Sequence, residues 1–148
     1  MVELLPFLKF SVEVGPLVDL GPVGGNRRRM VPITGGIVSG SHAGTILPGG
    51  VDWQELAEDG QLNISAHYVL SLAEGLVEVD SRGLRHASPE ILARLDRGEP
   101  VSKSDYYFRT AIRFRTAAGP LAYLNSILAV SVGERLARSV NLDIYRIS

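Results

Sequence analysis

Hydrophobic and polar positions alternate with a period near two over most of this chain. The clearest run is Leu62–Leu72, in which apolar side chains occupy every second position and mostly polar ones lie between them. Successive side chains of a strand point to opposite faces, so this period predicts β-structure. By the same criterion, strands are predicted over Phe7–Val14, Arg28–Thr34, Gly36–Leu47, Val51–Ala57, Leu62–Leu72, Leu76–Asp80, Tyr106–Thr116, Ala122–Val132 and Val140–Ile147.

Short turn signals separate several of these strands, namely the tripeptides PGG, EDG, AEG and SRG. Strands joined by such short connections pair antiparallel, because a parallel pair needs a long crossover. We therefore expect a meander in which PGG reverses the chain between the strands ending at Leu47 and beginning at Val51. The longer segment GPLVDLGPVGGN is rich in glycine and proline and is expected to be a connection without a strand.

One segment, SPEILARLDRG, has helical instead of strand character. Ser88 suits the N-cap, Pro89 the first helical position, and Gly98 the stop, which predicts a short helix near 88–97. The chain therefore reads as a single all-β domain over residues 1–148. We predict an antiparallel meander closed into a small β-barrel of about 8–9 strands, because closure removes exposed edges. A two-sheet sandwich is the alternative.

Composition narrows the classes of function. The 148 residues carry a net charge of −1, which gives no general attraction to nucleic acid or to an anionic membrane. Cysteine is absent, which excludes disulfides and thiolate metal sites, and the three histidines lack metal-motif spacing. The glycine clusters match no nucleotide-binding motif, so neither cofactor nor metal is expected. The N-terminus lacks signal-peptide features and no apolar run is long enough to span a membrane, so a cytoplasmic location is expected.

The predicted hairpins around PGG and EDG give a register for candidate site residues. If both are three-residue loops, Thr45, Trp53 and Ser65 share a row, with His67 beside Val51 on the same face. Asp52 then points to the opposite face. This polar face is either solvated, as antiparallel sheets usually arrange it, or it lines the lumen of a ligand-binding barrel.

A second stretch, SDYYFRTAIRFRT, places Tyr107 and Arg109 on one face of its strand, together with Arg113 and Arg115. A single arginine near Tyr107 offers a fork of donors to an anionic or enolic oxygen. The alternative is an exposed charged face. The run Asn26-Arg27-Arg28-Arg29 is interpreted as a solvated beginning of a strand, since it has no interleaved aromatic residues.

Four stretches together resemble the DUF3237 family, also called UPF0311, and they cover nearly the whole chain. They are RRMVPITGGIVSGSHAGTILPGGVDWQ, EDGQLNISAHYVL, DYYFRTAIRF and AVSVGERLARSVNLDIYRI. The resemblance implies a single β-barrel domain, a homo-oligomer and a cavity suited to a small molecule. It also implies that the PGG-x-DW stretch, position 67 and the Tyr107–Arg109 segment belong to the site. The candidates that the resemblance transfers most directly to this chain are Asp52, Trp53, Tyr107 and Arg109.

Three hypotheses follow. In the first, the barrel binds a small aromatic or polyketide-like molecule and isomerises or cyclises it without a redox cofactor. Trp53 and Tyr107 would stack on this ligand beside Thr45 and Ser65, Arg109 would hold an oxygen, and Asp52 or His67 would move a proton. In the second hypothesis the barrel binds the same class of molecule without catalysis. In the third it is a structural barrel whose aromatic side chains form an oligomer interface.

Overall fold

A computed structural model describes residues 1–148 and contains ten strands, one α-helix and two short 3-10 helices. The strands are β1 (Leu4–Val14), β2 (Val18–Val23), β3 (Asn26–Gly40), β4 (Gly44–Ile46), β5 (Gly50–Leu56), β6 (Leu62–Leu72), β7 (Gly75–His86), β8 (Tyr107–Thr116), β9 (Ala129–Arg135) and β10 (Ser139–Ile147). The helix α1 is Pro89–Asp96, and the 3-10 helices are Lys103–Asp105 and Ala122–Ser126.

The strands form a closed antiparallel barrel. Around it the order is β1, β10, β9, β8, β7 and β6, then β4 and β5, then β3, which pairs back with β1. Because β4 and β5 lie end to end between β3 and β6, the barrel has eight positions. The prediction of an all-β closed barrel with one short helix is confirmed, and the sandwich alternative is not adopted.

The chain does not reverse at PGG, so the expected hairpin between 36–47 and 51–57 is wrong. Ile46 pairs with Leu70, and Val51 pairs with His67 on the same strand β6. These partners are five residues apart on one side and three on the other, so two extra residues bulge out. Gly49, with φ +106°, lies in this bulge. The chain turns instead between Gly40 and Gly44, at the end of one long strand β3.

Two glycine-containing segments predicted as loops or turns form strands instead. Within the segment expected to be a connection, β2 pairs with the first half of β3 through a turn at Gly24 and Gly25. The SRG tripeptide lies inside β7 rather than ending it. A Cβ at Gly83 would lie only 2.0 Å from the backbone oxygen of Arg109, so this glycine permits the close approach of β7 and β8.

The first half of the predicted strand Ala122–Val132 is also different. Residues Ala122–Ser126 form a 3-10 helix, and β9 begins only at Ala129. Leu121 and Leu124 are buried in the core from this segment. The segment therefore covers one end of the barrel, which explains apolar positions that do not follow strand alternation.

The helix α1 covers the other end of the barrel and confirms the predicted helix. Ser88 caps it, with its Oγ accepting a hydrogen bond from the Ile91 N–H, and Leu92 and Leu95 are buried beneath it. The inward side chains near this end are partly polar, and Arg29, Gln54 and Arg85 are all buried there. Toward the end that the 3-10 helix Ala122–Ser126 covers, the inward side chains are aliphatic and aromatic. The fold thus places a polar pocket under α1.

The two ends of the chain meet on the barrel wall. The Glu3 N–H donates to Ser148 Oγ at 2.9 Å, and the Ser148 N–H donates to the Glu3 carbonyl at 3.0 Å. Alongside them, β1 pairs with β10 on one side and β3 on the other. Barrel closure therefore joins segments from opposite ends of the sequence.

Candidate functional site

Strand alternation in β5 turns Asp52 into the barrel and Trp53 to its outer surface. Asp52 Oδ2 accepts a hydrogen bond from Gln54 Nε2 at 2.8 Å. Asp52 Oδ1 is fully buried and has no hydrogen-bond partner. Buried polar atoms in proteins are rarely left without a partner. The free oxygen therefore marks a place where a ligand or a water can bind.

The environment of Asp52 raises the pKa of its carboxyl group toward neutral pH. Burial raises the pKa of Asp52 to about 6. The Gln54 hydrogen bond and the charges of Arg85, Arg135 and Arg29 oppose this shift without cancelling it. A group with this pKa can take up and release a proton near pH 7, as general acid–base catalysis requires.

Tyr68 on β6 lies in the same interior and also has an unpartnered polar atom. Its hydroxyl is buried and makes no hydrogen bond. Burial and the nearby Asp52 carboxylate raise the pKa of Tyr68, so the phenol stays protonated and can donate a hydrogen bond. Asp52 and Tyr68 line a cavity of about 50 Å³ together with Ser81, Phe108 and Thr110.

Three arginines from three different strands surround the entrance side of this interior. Arg29 on β3 is fully engaged, since Nε and Nη2 donate to Gln54 Oε1 and Nη1 pairs with Asp96 Oδ2 at 2.8 Å. Arg85 on β7 is equally buried but poorly paired. Its Nη2 lies 3.8 Å from Asp96 Oδ1, and its buried Nε has no partner. Burial lowers the pKa of Arg85 to about 10, which leaves it charged at neutral pH.

Arg135 on β9 completes the arginine group. It is half-buried, and its Nη1 makes one long hydrogen bond, 3.4 Å, to the Ser139 carbonyl. The three arginines line a second cavity of about 30 Å³ with Asp52 and Asp96. The two cavities share five lining residues, Val14, Asp52, Ile64, Phe108 and Val140, so we treat them as one interior site. Its lining reaches the surface at Leu17 and Asp96, which are exposed.

The other residues predicted around PGG lie on the outer surface. Trp53 pairs with Ser65 and Val51 with His67, as the register predicted, but Thr45 pairs with Ser71 and lies outside that row. His67 Nε2 lies 2.7 Å from Glu78 Oε1 and the ring is exposed. The structure thus has the solvated arrangement for this face, and it does not bring Thr45, Trp53, Ser65 or His67 together with Asp52.

Tyr107 and Arg109 also lie outside, on the outer face of β8. The Arg109 guanidinium stacks 4.8 Å from the Tyr107 ring centroid. Both line a shallow surface groove of about 620 Å³ between β7, β8 and β9. They are therefore separated from Asp52 by the barrel wall.

Sequence reasoning missed the interior arginines, although alternation contained the signal. Arg29 has the same phase as the buried Val31 and Ile33, and Arg85 has the same phase as Val77 and Val79. The interpretation of the arginine run as solvated is wrong for Arg29, which is 4 % exposed. Burial of arginine is rare in proteins, so the phase of a strand alone does not indicate an interior arginine.

No group of three or more His, Cys, Asp or Glu side chains has an arrangement that could hold a metal ion. None of the helices has the length and apolar character needed to cross a membrane.

Comparison with known proteins shows a family match over almost the entire chain. Residues 2–147 match the family model described as "Protein of unknown function (DUF3237)". A UPF0311 protein of Bradyrhizobium diazoefficiens is 34% identical over 138 residues, covering 93% of this chain and 91% of the relative. A UPF0311 protein of Clostridium acetobutylicum is 35% identical over 124 residues, covering 82% and 78%.

Solved structures share the fold. A conserved protein of unknown function from Rhodopseudomonas palustris superimposes with a TM-score of 0.91 at 30% identity, covering 100% of this chain and 98% of that one. A β-barrel-like protein from Acinetobacter baumannii gives 0.86 at 36% identity, covering 100% and 97%. An enzyme from Penicillium herquei gives 0.71 at 19% identity, covering 100% and 94%, which is a likeness of fold alone.

Proposed function

The chain belongs to the DUF3237 family, and from that premise we propose that it is a small-molecule-binding barrel that moves protons within an organic substrate. The reaction is an isomerisation or cyclisation of an aromatic or polyketide-like compound and uses no redox cofactor. The observation that carries this proposal is the half-buried Asp52, whose Oδ1 is fully buried and unpartnered beside a cavity.

The chemistry assigned to the site is a proton transfer that leaves the substrate's composition unchanged. The Asp52 carboxylate takes a proton from a carbon next to a carbonyl group. The electron pair of that C–H bond forms a C=C bond, and the π pair of the C=O bond moves onto the oxygen to give an enolate. The Tyr68 hydroxyl donates a hydrogen bond to this oxygen. Asp52 then returns the proton to another atom of the same molecule. A carboxyl group whose pKa is about 6 suits both steps near neutral pH.

The volume of the site restricts how a substrate enters. The cavities of about 50 and 30 Å³ hold a few non-hydrogen atoms, which is less than a substituted ring needs. A ring-sized substrate therefore requires side chains at the mouth to move. Leu17 and Arg135 are the candidates, because both line the cavity and neither is fully buried.

Hydrogen–deuterium exchange tests this proposal without knowledge of the product. In D₂O, the protein is incubated with enolisable phenolic ketones and 1,3-diketones, and deuterium incorporation at carbon is followed by mass spectrometry. We expect the wild type to accelerate exchange in at least one compound, and Asp52→Asn to lower that rate by about 10²–10⁴-fold.

Asp80→Asn is the matched control, because Asp80 lies on the outer side of β7 and pairs with Arg82. It should exchange at the wild-type rate. Equal exchange by wild type and Asp52→Asn would refute the catalytic assignment. Saturable binding without any exchange would leave the non-catalytic binding module as the function.

The surface groove favours a second candidate, a binding or association surface on the outside of the barrel. Tyr107 is 51% exposed and stacks with Arg109, and Trp53 is 38% exposed on the same outer surface. If these residues mediate homo-oligomerisation, Trp53→Ala or Tyr107→Ala lowers the mass in solution. If they bind a ligand, these variants lower its affinity while the mass stays the same.

A further inference from the structure

We propose that the interior site selects an anionic ligand, a carboxylate or an enolate, and that Arg85 and Arg135 bind its negatively charged oxygen. This rests on the proposed function, since it assigns the substrate class of the same site. It does not depend on whether Asp52 catalyses a reaction.

The first argument is the accounting of hydrogen-bond donors. A guanidinium has five N–H donors, and a buried one normally uses them in charge-assisted hydrogen bonds. Arg29 meets this expectation through Gln54 and Asp96. Arg85 does not, because its Nε is unpartnered and its only ion pair spans 3.8 Å, although the side chain is 4% exposed. A buried, underused guanidinium facing a cavity requires an acceptor.

The second argument is the balance of charge. Arg29, Arg85 and Arg135 line the cavity under α1, and the carboxylates facing it are Asp96 and Asp52. The Asp96 carboxylate is engaged mainly by Arg29, at 2.8 Å. Even with Asp52 ionised, the lining carries one excess positive charge. A buried excess charge is costly unless an opposite charge binds beside it.

The third argument is geometric. Arg85 and Arg135 come from β7 and β9 and line the same cavity as Asp52, with Phe108 from β8 between those two strands. Phe108 lies 5.9 Å from the Arg85 guanidinium, which leaves an apolar surface next to the donors. A ligand with an anionic oxygen and an apolar body matches this arrangement. The Asp52 carboxylate lines the same cavity, so a bound anion favours the protonated form of Asp52. This matches the enolate stage of the proposed reaction, in which Asp52 already holds the substrate's proton.

The titration of Asp52 therefore supplies a thermodynamic signature. An anion beside Asp52 raises the pKa of this carboxyl group further, so binding takes up protons from buffer near pH 7. Asp52→Asn removes the competing negative charge. It should bind the anion more tightly than the wild type and without proton uptake.

Nitrogen-15 NMR of the arginine Nε–H groups tests the proposal on the full chain. The signal of Arg85 is identified by its loss in Arg85→Lys. The probes are acetate and benzoate, each compared with its neutral amide, acetamide or benzamide. We expect both carboxylates to shift the Arg85 signal saturably and both amides to leave it unchanged. Acetate is small enough that the size of the cavity does not exclude it.

Variants then locate the site. Because Arg85→Gln has no Arg85 signal, the affinities of the variants are measured by isothermal titration calorimetry. Arg85→Gln should weaken carboxylate binding by about tenfold or more, and Arg135→Gln should weaken it to a smaller extent. Arg82→Gln is the matched control, because Arg82 lies on the outer face of the same strand and is exposed. It should bind as the wild type does. Carboxylate binding is also measured with increasing chloride at constant ionic strength. Since general screening is then unchanged, any loss of affinity comes from competition of chloride for the site.

Several results would overturn the proposal. They are equal binding of carboxylates and amides by the wild type, no shift of Arg85 with any carboxylate, or equal affinities in Arg85→Gln and Arg82→Gln. If Arg85→Gln does not fold, the proposal is still tested by the selectivity of the wild type for carboxylates over amides and by the affinity of Arg135→Gln. Loss of deuterium exchange in Asp52→Asn without anion selectivity would contradict this inference alone. Anion selectivity without exchange would contradict only the catalytic role.

Discussion

At the scale of single residues, Asp52 lowers the stability of the fold by an amount that depends on pH. Its pKa is about 6 in the folded protein, against 3.8 for an ordinary aspartate. The unfolded chain therefore releases this proton more readily than the folded one. Below pH 4 the carboxyl group is protonated in both states and costs no stability, whereas stability is lost as the pH rises through 6 and the buried group must ionise. A shift of this size corresponds to about 3 kcal/mol above pH 7.

Asp52→Asn should remove this dependence. We expect the variant to be about 3 kcal/mol more stable than the wild type at pH 8, and the difference to disappear near pH 4. Urea unfolding of both proteins across this range measures it. Asp80→Asn, on the surface, should change stability by less than about 1 kcal/mol at either pH. A wild type that is at least as stable as Asp52→Asn at pH 8 would contradict the assigned environment.

At the scale of elements, α1 contributes to stability as the cover of the polar end of the barrel. Leu95 is 1% exposed and belongs to the main core. The adjacent Asp96 pairs with Arg29 inside the barrel. Packing and an ion pair therefore hold the same turn of the helix against the arginine group.

Leu95→Ala should destabilise the protein by about 2–5 kcal/mol, because it removes buried side-chain volume that the barrel rim cannot refill. Urea unfolding gives the change, and hydrogen exchange of α1 amides shows whether the helix detaches first. Glu90→Ala, exposed on the same helix, should cost less than about 1 kcal/mol. Equal effects of the two variants would show that α1 does not cover the core.

Elements were predictable from sequence where alternation was unbroken. The bounds of β6 follow from the period of two, and the pairing of Trp53 with Ser65 follows from the three-residue EDG loop. Prediction failed where glycine had a role other than reversing the chain. Gly49 lies in a bulge within a continuous path, and Gly83 lets two strands approach closely. Local sequence does not distinguish these roles from a turn, because the neighbouring strand decides them.

At the scale of the whole molecule, closure of the barrel should make unfolding cooperative. β10 pairs with both β1 and β9 and contributes the buried Leu142 and Ile144. A chain ending before Ser139 loses this packing and exposes two strand edges. Since domains of this kind are stable by only about 5–15 kcal/mol, we expect the shortened chain not to fold.

Fluorescence of the single tryptophan shows whether the shortened chain folds, because Trp53 lies on β5, away from β10. In the shortened chain its emission should match that of the urea-unfolded protein and show no transition. A control chain lacking only Ser148 should unfold cooperatively, with fluorescence and circular dichroism changing together. A folded signal from Trp53 in the shortened chain would show that the barrel can tolerate an open wall.

The site is a property of the whole molecule, which limits how much of it the sequence could predict. Asp52 was a candidate mainly through the resemblance to the family. Its partners Arg29, Arg85 and Arg135 come from β3, β7 and β9, and only closure brings them under α1. The site candidates that lie on the outer face, such as Trp53 and His67, were grouped correctly by register. Register fixes which residues share a face, but it does not fix which face the barrel encloses.

The contact between Glu3 and Ser148 has a consequence for how the fold could be encoded. Because the two ends already lie within hydrogen-bonding distance on one wall, a short peptide linker could join them without strain. New ends could then be opened at the exposed residues 102–105, between α1 and β8. A circularly permuted gene would specify the same barrel, and β10 and β1, which pair with each other, would then follow one another in the sequence.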